Sequence, residues 1–453
     1  MSIPIAPERV LPTLNADGTR VRIRPRPYSG RLLRARRIVA WALIALFCGL
    51  PFVNVHGHPA MLLDVVHRRF FLFGHVFLPT DGVLLMLLML AIFVGVVLTT
   101  ALVGRAWCGW ACPQTVYMEF LFRPIERLFE GPREAQLRLD REGLSWRRTA
   151  KNATFLILSF ALGNVFLAYF VGVDALRRWI FQAPSEHLGG FSVVMVTTGL
   201  VFFDFAYFRE QMCTVICPYA RLQSVLLDPK SLLIGYDDRR GEPRSKGKPK
   251  GAGFGDCIDC RACVVTCPTG IDIREGLQLE CIACGQCADA CDSIMDKIKK
   301  PRGLIRYSSQ SALQTGVKHR LLRVRVLIYA AALAGLVAAL VAIGSATPSS
   351  EVTILRGLGA PFTESGDSVI NQLRLKVRNR TEADASYAVQ VVDVPTAQIV
   401  APELPLRVVA SEQGVANFFV MVPRGELHGK RQVHLRVTGG GTSELVPYTL
   451  LGP

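Results

Sequence analysis

Of 453 residues, 50% are hydrophobic and only 19% are charged, a balance that points to a membrane protein before any motif is read. Lys and Arg outnumber Asp and Glu by 52 to 36, for a formal charge of +16. The cations gather in alternate segments along the chain, which argues against a nucleic-acid binder and for a multi-pass chain.

The N-terminal residues 1–37 form a basic arm, ending in "RVRIRPRPYSGRLLRARR", that reads as an orientation signal lying on anionic lipid head groups. The first apolar run, Ile38 to Val55, is too deep in the chain, too Arg-flanked and too poor in small cleavage-site residues for a signal peptide. It reads as a retained anchor. Further runs at Val83 to Val103, Thr154 to Val173, Phe191 to Phe208 and Val324 to Ile343 are also long enough to cross ~30 Å of hydrocarbon.

Lys and Arg number 9 in residues 1–37, 9 in 104–151 and 20 in 209–325, against 2 in 56–82 and 2 in 174–190. The positive-inside rule then places the N-terminus and the cation-rich loops in the cytoplasm of a bacterial inner membrane, and the C-terminal region outside. In the four-span region 38–236, Ile125, Leu128 and Phe129 are spaced for one face of an interfacial helix ended by Gly131-Pro132.

Residues 237–256 are basic and rich in Gly and Pro, and read as a flexible linker. Their "GAGFGD" lacks a preceding strand, so it is not a dinucleotide loop. Residues 257–300 carry eight of the 13 cysteines. Cys257, Cys260, Cys263 and Cys267 have the spacing C-x2-C-x2-C-x3-C followed by Pro268; Cys281, Cys284, Cys287 and Cys291 repeat it with Asp292 in place of the proline. Three cysteines at that spacing wrap three irons of a cubane, and in two-cluster ferredoxins the fourth ligand comes from the other motif. The spacing therefore assigns one [4Fe-4S] cluster to Cys257, Cys260, Cys263 and Cys291, and a second to Cys281, Cys284, Cys287 and Cys267. Zinc sites show separated C-x2-C pairs, and disulfides are disfavoured in a reducing cytoplasm.

A connector, 301–323, leads to the fifth span, 324–346. Beyond it "QLRLKVRNRT" alternates Leu373, Leu375 and Val377 with cations, and further strand-like runs follow between turns. Residues 347–453 thus read as an all-β sandwich. The expected architecture is an α-helical membrane protein of about five transmembrane helices, with a cytoplasmic ferredoxin-like α+β insert and this C-terminal sandwich.

Two more pairs, "WCGWACP" (Cys108, Cys112) and "MCTVICP" (Cys213, Cys217), each follow an outward-to-inward span. Residues i and i+4 share one helix face, and the proline disfavours helical geometry at Cys112 and Cys217. These four thiols suit a soft metal such as Cu(I), a dithiol-disulfide couple, or a third iron-sulfur centre. Cys48, alone in the first span, reads as packing. No histidine falls inside a span, so haem is not indicated; His56 and His58, with His67 and His75 in "HRRFFLFGH", are the candidates for an outer metal site, and His319 lies inside.

The order of these motifs, together with "QMCTVICPYARLQSV", "CPTGIDIREGLQLECIACGQCADACD" and "PRGLIRYSS", resembles the cytochrome c oxidase accessory proteins of the CcoG (FixG/RdxA) family over nearly the whole chain. The resemblance implies reduction of Cu(II) to Cu(I) for assembly of cbb(3)-type cytochrome oxidase, with Cys108, Cys112, Cys213 and Cys217 handling copper and the eight cassette cysteines binding clusters. It also implies an immunoglobulin-like C-terminal domain; the relay read from the motifs expects a cytoplasmic electron donor, copper-transport and oxidase-assembly partners, and a homo-oligomer as one arrangement. The rival readings are a quinol dehydrogenase passing electrons to an outer partner, and a redox-sensing assembly scaffold.

Overall fold

Five helices are long and apolar enough to cross a membrane: Arg31–Phe52, Gly82–Val103, Trp146–Val171, Pro184–Phe208 and Val324–Ala346. The structure is a computed structural model that describes residues 9–15, 17, 19–55, 58–66, 69–72, 75–77, 82–143, 145–247, 253–316, 323–346, 348–381, 383–410 and 412–453. All five spans fall where the apolar runs lie, but the first and third begin two turns earlier, in basic sequence. Arg, Lys and Ala favour helix, and the added turns have partners. The carboxylate of Asp289 caps the first helix, and Lys151 of the third reaches Glu130 at 2.9 Å.

The third and fourth spans cross at Gly163, where a Cβ would meet Thr198 Oγ1 at 2.9 Å. Small residues at a crossing let two backbones approach where no hydrophobic force acts between helices. At one end of this pair, Phe205 stacks on Phe122 with ring centroids 4.2 Å apart, and Phe155 meets Phe122 edge-on at 4.8 Å. Outward-facing side chains such as Met86, Ile157, Leu200 and Val341 stay exposed, as a lipid-facing surface requires.

The helix Arg123–Glu130 ends at Gly131, whose φ of +84° suits glycine. Its polarity is the reverse of a soluble helix. Arg123, Glu126 and Glu130 are its buried residues and Leu128 is 79% exposed. The charged face is buried because it meets other charges. Glu126 pairs with Arg24 at 2.5 Å, Arg209 at 2.8 Å and Lys151 at 3.8 Å, and Arg24 also reaches Asp140 at 2.9 Å. Part of the basic arm is turned inward: Arg24 and Arg36 are buried within the protein, held by carboxylates and carbonyls contributed from distant segments, while Arg22, Arg26, Arg31, Arg34 and Arg37 stay exposed.

The cassette is framed by a pair of antiparallel strands, Leu233–Tyr236 and Ile305–Ser308, with Leu233 opposite Ser308 and Tyr236 opposite Ile305. The folded unit thus extends past 257–300 on both sides. Its core joins Ile234, Ile271, Ile273, Met295, Leu304 and Ile305 to the cysteine motifs, and helix Gln286–Lys297 packs across it. Most of the expected flexible linker is folded onto this unit: Arg240 pairs with Asp256 at 2.6 Å and Ser245 N–H donates to the Cys257 carbonyl at 3.1 Å. Residues 248–252 of that linker lie outside the described residues.

The second compact unit, Leu340–Pro453, is all-β beyond the end of the fifth span. One sheet runs Ser350–Arg356, Ser368–Asn379, Gln413–Pro423 and Gln398–Val400, with Thr363–Ser365 paired on Ser368–Asn379; the other runs Leu406–Val408, Ala385–Val391, Lys430–Gly439 and Thr442–Leu451. Leu373, Leu375 and Val377 from the first sheet meet Val433, Leu435 and Val437 from the second in one core, as the period-2 pattern requires.

Candidate iron-sulfur site

The two cysteine motifs adopt the same backbone. Asp259 and Arg261 in the first, and Ala283 and Gly285 in the second, take positive φ values of 49°, 55°, 51° and 76° at matching positions between the cysteines. Left-handed residues at these points tighten each loop, so that sulfurs three residues apart turn toward a common interior. In three of the four places the residue is not glycine, so the loop geometry is held by the fold around it.

Two small cavities lie inside. One is lined by Cys257, Cys260, Cys263 and Cys291, among Tyr236, Met295, Leu304 and Ile305. The other is lined by Cys281, Cys284, Cys287 and Cys267, with Cys263 also at its edge, among Ile234, Ile271 and Ile273. The first cavity draws three cysteines from one motif and Cys291 from the other; the second draws three from the second motif and Cys267 and Cys263 from the first. Burial pushes the Cys263, Cys281 and Cys291 thiols up to about 12 and Cys284 up to about 11. Thiolates packed so closely in an apolar shell need a cationic group among them, and an iron cluster is such a group. Cys260 is the one exposed cysteine.

The membrane-face pairs are also built alike. Cys112 and Cys217 are extended, with φ, ψ of −62°, 126° and −58°, 110°, and Pro113 and Pro218 open the helices Pro113–Tyr117 and Pro218–Leu226. The Cys112 N–H donates to the carbonyl of Trp107 at 2.9 Å, and the Cys217 N–H to that of Met212 at 2.8 Å, each five residues back. This wide closure, of the π type that recurs at functional sites, replaces the simple helical face expected for i and i+4. The four thiols lie near one another: burial first raises the Cys108, Cys112 and Cys213 thiols, and negative charge on the other membrane-face sulfurs adds to the rise. Among the described residues, no three His, Cys, Asp or Glu side chains are placed to hold one metal ion.

The two sets of cysteines meet. Buried Cys108 packs against Ile282 and Cys284, and its thiol donates to Gln223 Oε1 at 3.2 Å. Cys213 lines a third cavity whose wall of Pro268, Thr269 and Ile282 it shares with the Cys281-side cavity. Sequence reasoning missed the residues that clamp this junction. Trp110 Nε1–H donates to Tyr307 Oη at 2.9 Å, whose hydroxyl donates to the Ala283 carbonyl at 2.7 Å; Gln286 Nε2 donates to Glu119 at 3.1 Å. Trp110 lies inside "WCGWACP" and Tyr307 inside "PRGLIRYSS", so the only available signal was their nearness to the motifs. His56, His67 and His319 lie outside the described residues.

A 4Fe-4S dicluster domain profile matches residues 208–310, a 4Fe-4S binding domain profile matches 85–132, and a profile described as an IG-like fold at the C-terminal of FixG matches 340–453. Protein RdxA of Cereibacter sphaeroides is 35% identical over 431 residues, covering 90% of this chain and 90% of its own. The chain belongs to the FixG/RdxA family. The nitrogen fixation protein FixG of Rhizobium meliloti is 38% identical over 305 residues, 64% of this chain and 58% of its own. A crystal structure of a FixG-related protein from Vibrio parahaemolyticus covers 23% of this chain and 97% of its own, at 16% identity and a TM-score of 0.21. This FixG/RdxA protein is an iron-sulfur electron-transfer protein with five candidate membrane spans.

Proposed function

We propose that this FixG/RdxA protein is a membrane cupric reductase that supplies Cu(I) for assembly of a cbb(3)-type cytochrome oxidase. Cys257, Cys260, Cys263 and Cys291 would hold one [4Fe-4S] cluster, and Cys281, Cys284, Cys287 and Cys267 the other. Bound there, such clusters supply storage and passage of single electrons. The observation that carries the reading is the packing of Cys108 on Cys284, which sets the membrane-face thiols against the wall of the Cys281-side cavity. Cys108, Cys112, Cys213 and Cys217 would take up copper. Cu(II) gains one electron there and becomes Cu(I), which thiolates favour strongly and which needs only two of them. The alternation of basic loops supports an inner-membrane protein with the cassette in the cytoplasm and the β-domain, an immunoglobulin-like module for assembly partners, outside.

The test is the double variant Cys108→Ala, Cys213→Ala in the full chain. Cupric reduction by the reduced protein should be lost while iron content stays near the parent value. Unchanged reduction sinks the copper-thiolate reading. A second reading rests on the 4Fe-4S binding domain profile that takes in Cys108 and Cys112. It makes the four membrane-face thiols a third cluster, as in a quinol-oxidising chain. Iron analysis separates the two: about eight irons per chain for two cubanes, about twelve for three.

A further inference from the structure

The buried charges around the two cassette cavities are unlike. Near the Cys257-side cavity, buried Arg274 is paired twice, with Asp272 at 2.6 Å and with Asp259 at 2.5 Å. At Cys263 the paired Arg274 favours negative charge ahead of Asp272, which opposes it, and at Cys291 Asp292 opposes it. Arg274 with Asp272, Asp259 and Asp292 leaves a formal net negative charge there, carried by partly exposed carboxylates, and the buried cation among the four does not lack a carboxylate partner.

Near the Cys281-side cavity the balance is opposite. Arg36 is 0% exposed, and its Nε donates to the Gly109 carbonyl at 2.8 Å. Its two terminal nitrogens have no hydrogen-bond partner among the described residues, and its guanidinium lies over the Phe120 ring at 5.4 Å. Gly109 touches the backbone of Cys284, so this charge stands one residue contact away from the second motif. Arg105 is 5% exposed, donates to the Leu279 carbonyl, and has no carboxylate partner among the described residues. The nearby carboxylate, Glu119, is already taken by Arg123 and Gln286. Arg36 favours negative charge at Cys284, and Arg105 does so at Cys281 and Cys108.

We propose that Arg36 and Arg105 raise the reduction potential on the Cys281 side above that on the Cys257 side, and so draw electrons from the exposed Cys260 edge toward the membrane-face thiols. The inference rests on the two-cluster reading. One electron leaves the Cys257 side and enters the Cys281 side; the first is oxidised by one, the second reduced by one, and no bond breaks and no proton moves. A cluster's potential depends on nearby charge and on solvent exposure. Loss of water around the Cys281 side acts to lower its potential. Two buried guanidinium groups act against that, and the same dry surroundings leave their field unscreened.

The experiment is a potentiometric titration of the purified full-length protein, with dithionite as reductant and paramagnetic resonance as readout. Two potentials are expected. Arg36→Met should lower the higher one by at least tenfold in the reduction equilibrium, ~59 mV for one electron. The lower one should stay in place, and Arg36→Lys should restore most of the loss. In a Cys291→Ala background the remaining signal should respond to Arg36, and in a Cys267→Ala background it should not. If Arg36→Met does not accumulate, Arg105→Gln leaves the Arg36–Gly109 bond in place and should lower the same potential. Two clusters whose potentials ignore both arginines, or shift together, overturn the proposal alone, as does an Arg36→Lys variant as low as Arg36→Met. A protein without iron-sulfur signals overturns the cluster reading and this proposal with it.

Discussion

Asp289, on the cassette helix, accepts hydrogen bonds from the backbone amides of Leu32 at 3.2 Å and Leu33 at 2.7 Å, at the start of the first span. A helix start leaves its first amides without intrahelical acceptors, and a carboxylate there also meets the positive end of the helix dipole. The cap comes from more than 250 positions along the chain, so it joins the cassette to the membrane bundle as well as finishing a helix. Asp289→Ala should cost about 1 kcal/mol, the usual worth of an N-cap, and Asp289→Asn less. Thermal unfolding in detergent, followed through the iron-sulfur absorption, reads the difference.

Gly109→Ala should be severe. A Cβ there would stand 2.5 Å from the Ile282 carbonyl oxygen and 2.8 Å from the Cys284 Cα, both backbone atoms that cannot swing aside. Iron per chain should fall, with the Cys281 side lost first. Gly199→Ala, in the fourth span with nothing within 4 Å of its Cβ, is the control and should be neutral or stabilising by up to ~1 kcal/mol.

The proposed crossed ligand sets predict a pattern of iron loss. Cys267→Ala should remove about half the iron, and adding Cys281→Ala should remove no more, since both thiols line one cavity. Adding Cys257→Ala instead should remove nearly all of it. The reverse pattern, with the Cys281→Ala addition removing nearly all the iron and the Cys257→Ala addition removing no more, would assign Cys267 to its own motif.

Glu126 anchors the charge cluster beneath the site. Burial would raise its carboxyl, but Arg209, Arg24 and Lys151 outweigh burial and hold it well below the usual carboxylate range. A carboxyl depressed by folding contributes stability that is full above the unfolded value and is lost only as the pH falls toward the folded one. Glu126→Gln removes one carboxylate from a cluster in which Arg24 keeps Asp140, Lys151 keeps Glu130 and Arg209 keeps Glu210, and should cost about 1–3 kcal/mol at neutral pH. The deficit against the parent should shrink in acid unfolding experiments below the ordinary carboxylate range.

The spans were legible because an apolar run of span length has no other common explanation. The cassette was legible because its cysteine spacing is that of an iron-sulfur motif, and the structure gathers the eight cysteines around two cavities. What stayed hidden depends on contacts between distant segments. Nothing local in "RVRIRPRPYSG" says that Arg24 meets Glu126 and Asp140, so composition favoured a lipid-bound arm. The strand Leu233–Tyr236 is buried at all four positions, and a run without alternation cannot be told from the end of a helix. Helix Arg123–Glu130 showed its apolar residues in sequence but not that the charged stripe faces inward. Arg36 looked like one more basic flank residue, and only its burial beside Gly109 sets it apart.

The strands Leu233–Tyr236 and Ile305–Ser308 bring the chain back beside the place where it left the bundle. The fifth span then starts under fixed guidance, with Arg323 on Asp228 at 2.7 Å and on the Ala101 carbonyl at 2.6 Å. The entry and exit of the insert are thus fixed side by side, and the bundle depends on the insert where the two touch, as at Asp289 and at the Ile282–Cys284 turn. Evolution, or an engineer, can exchange the electron-carrying insert for a longer or differently tuned one, provided that the replacement keeps an acceptor at the place of Asp289 and the turn that meets Gly109.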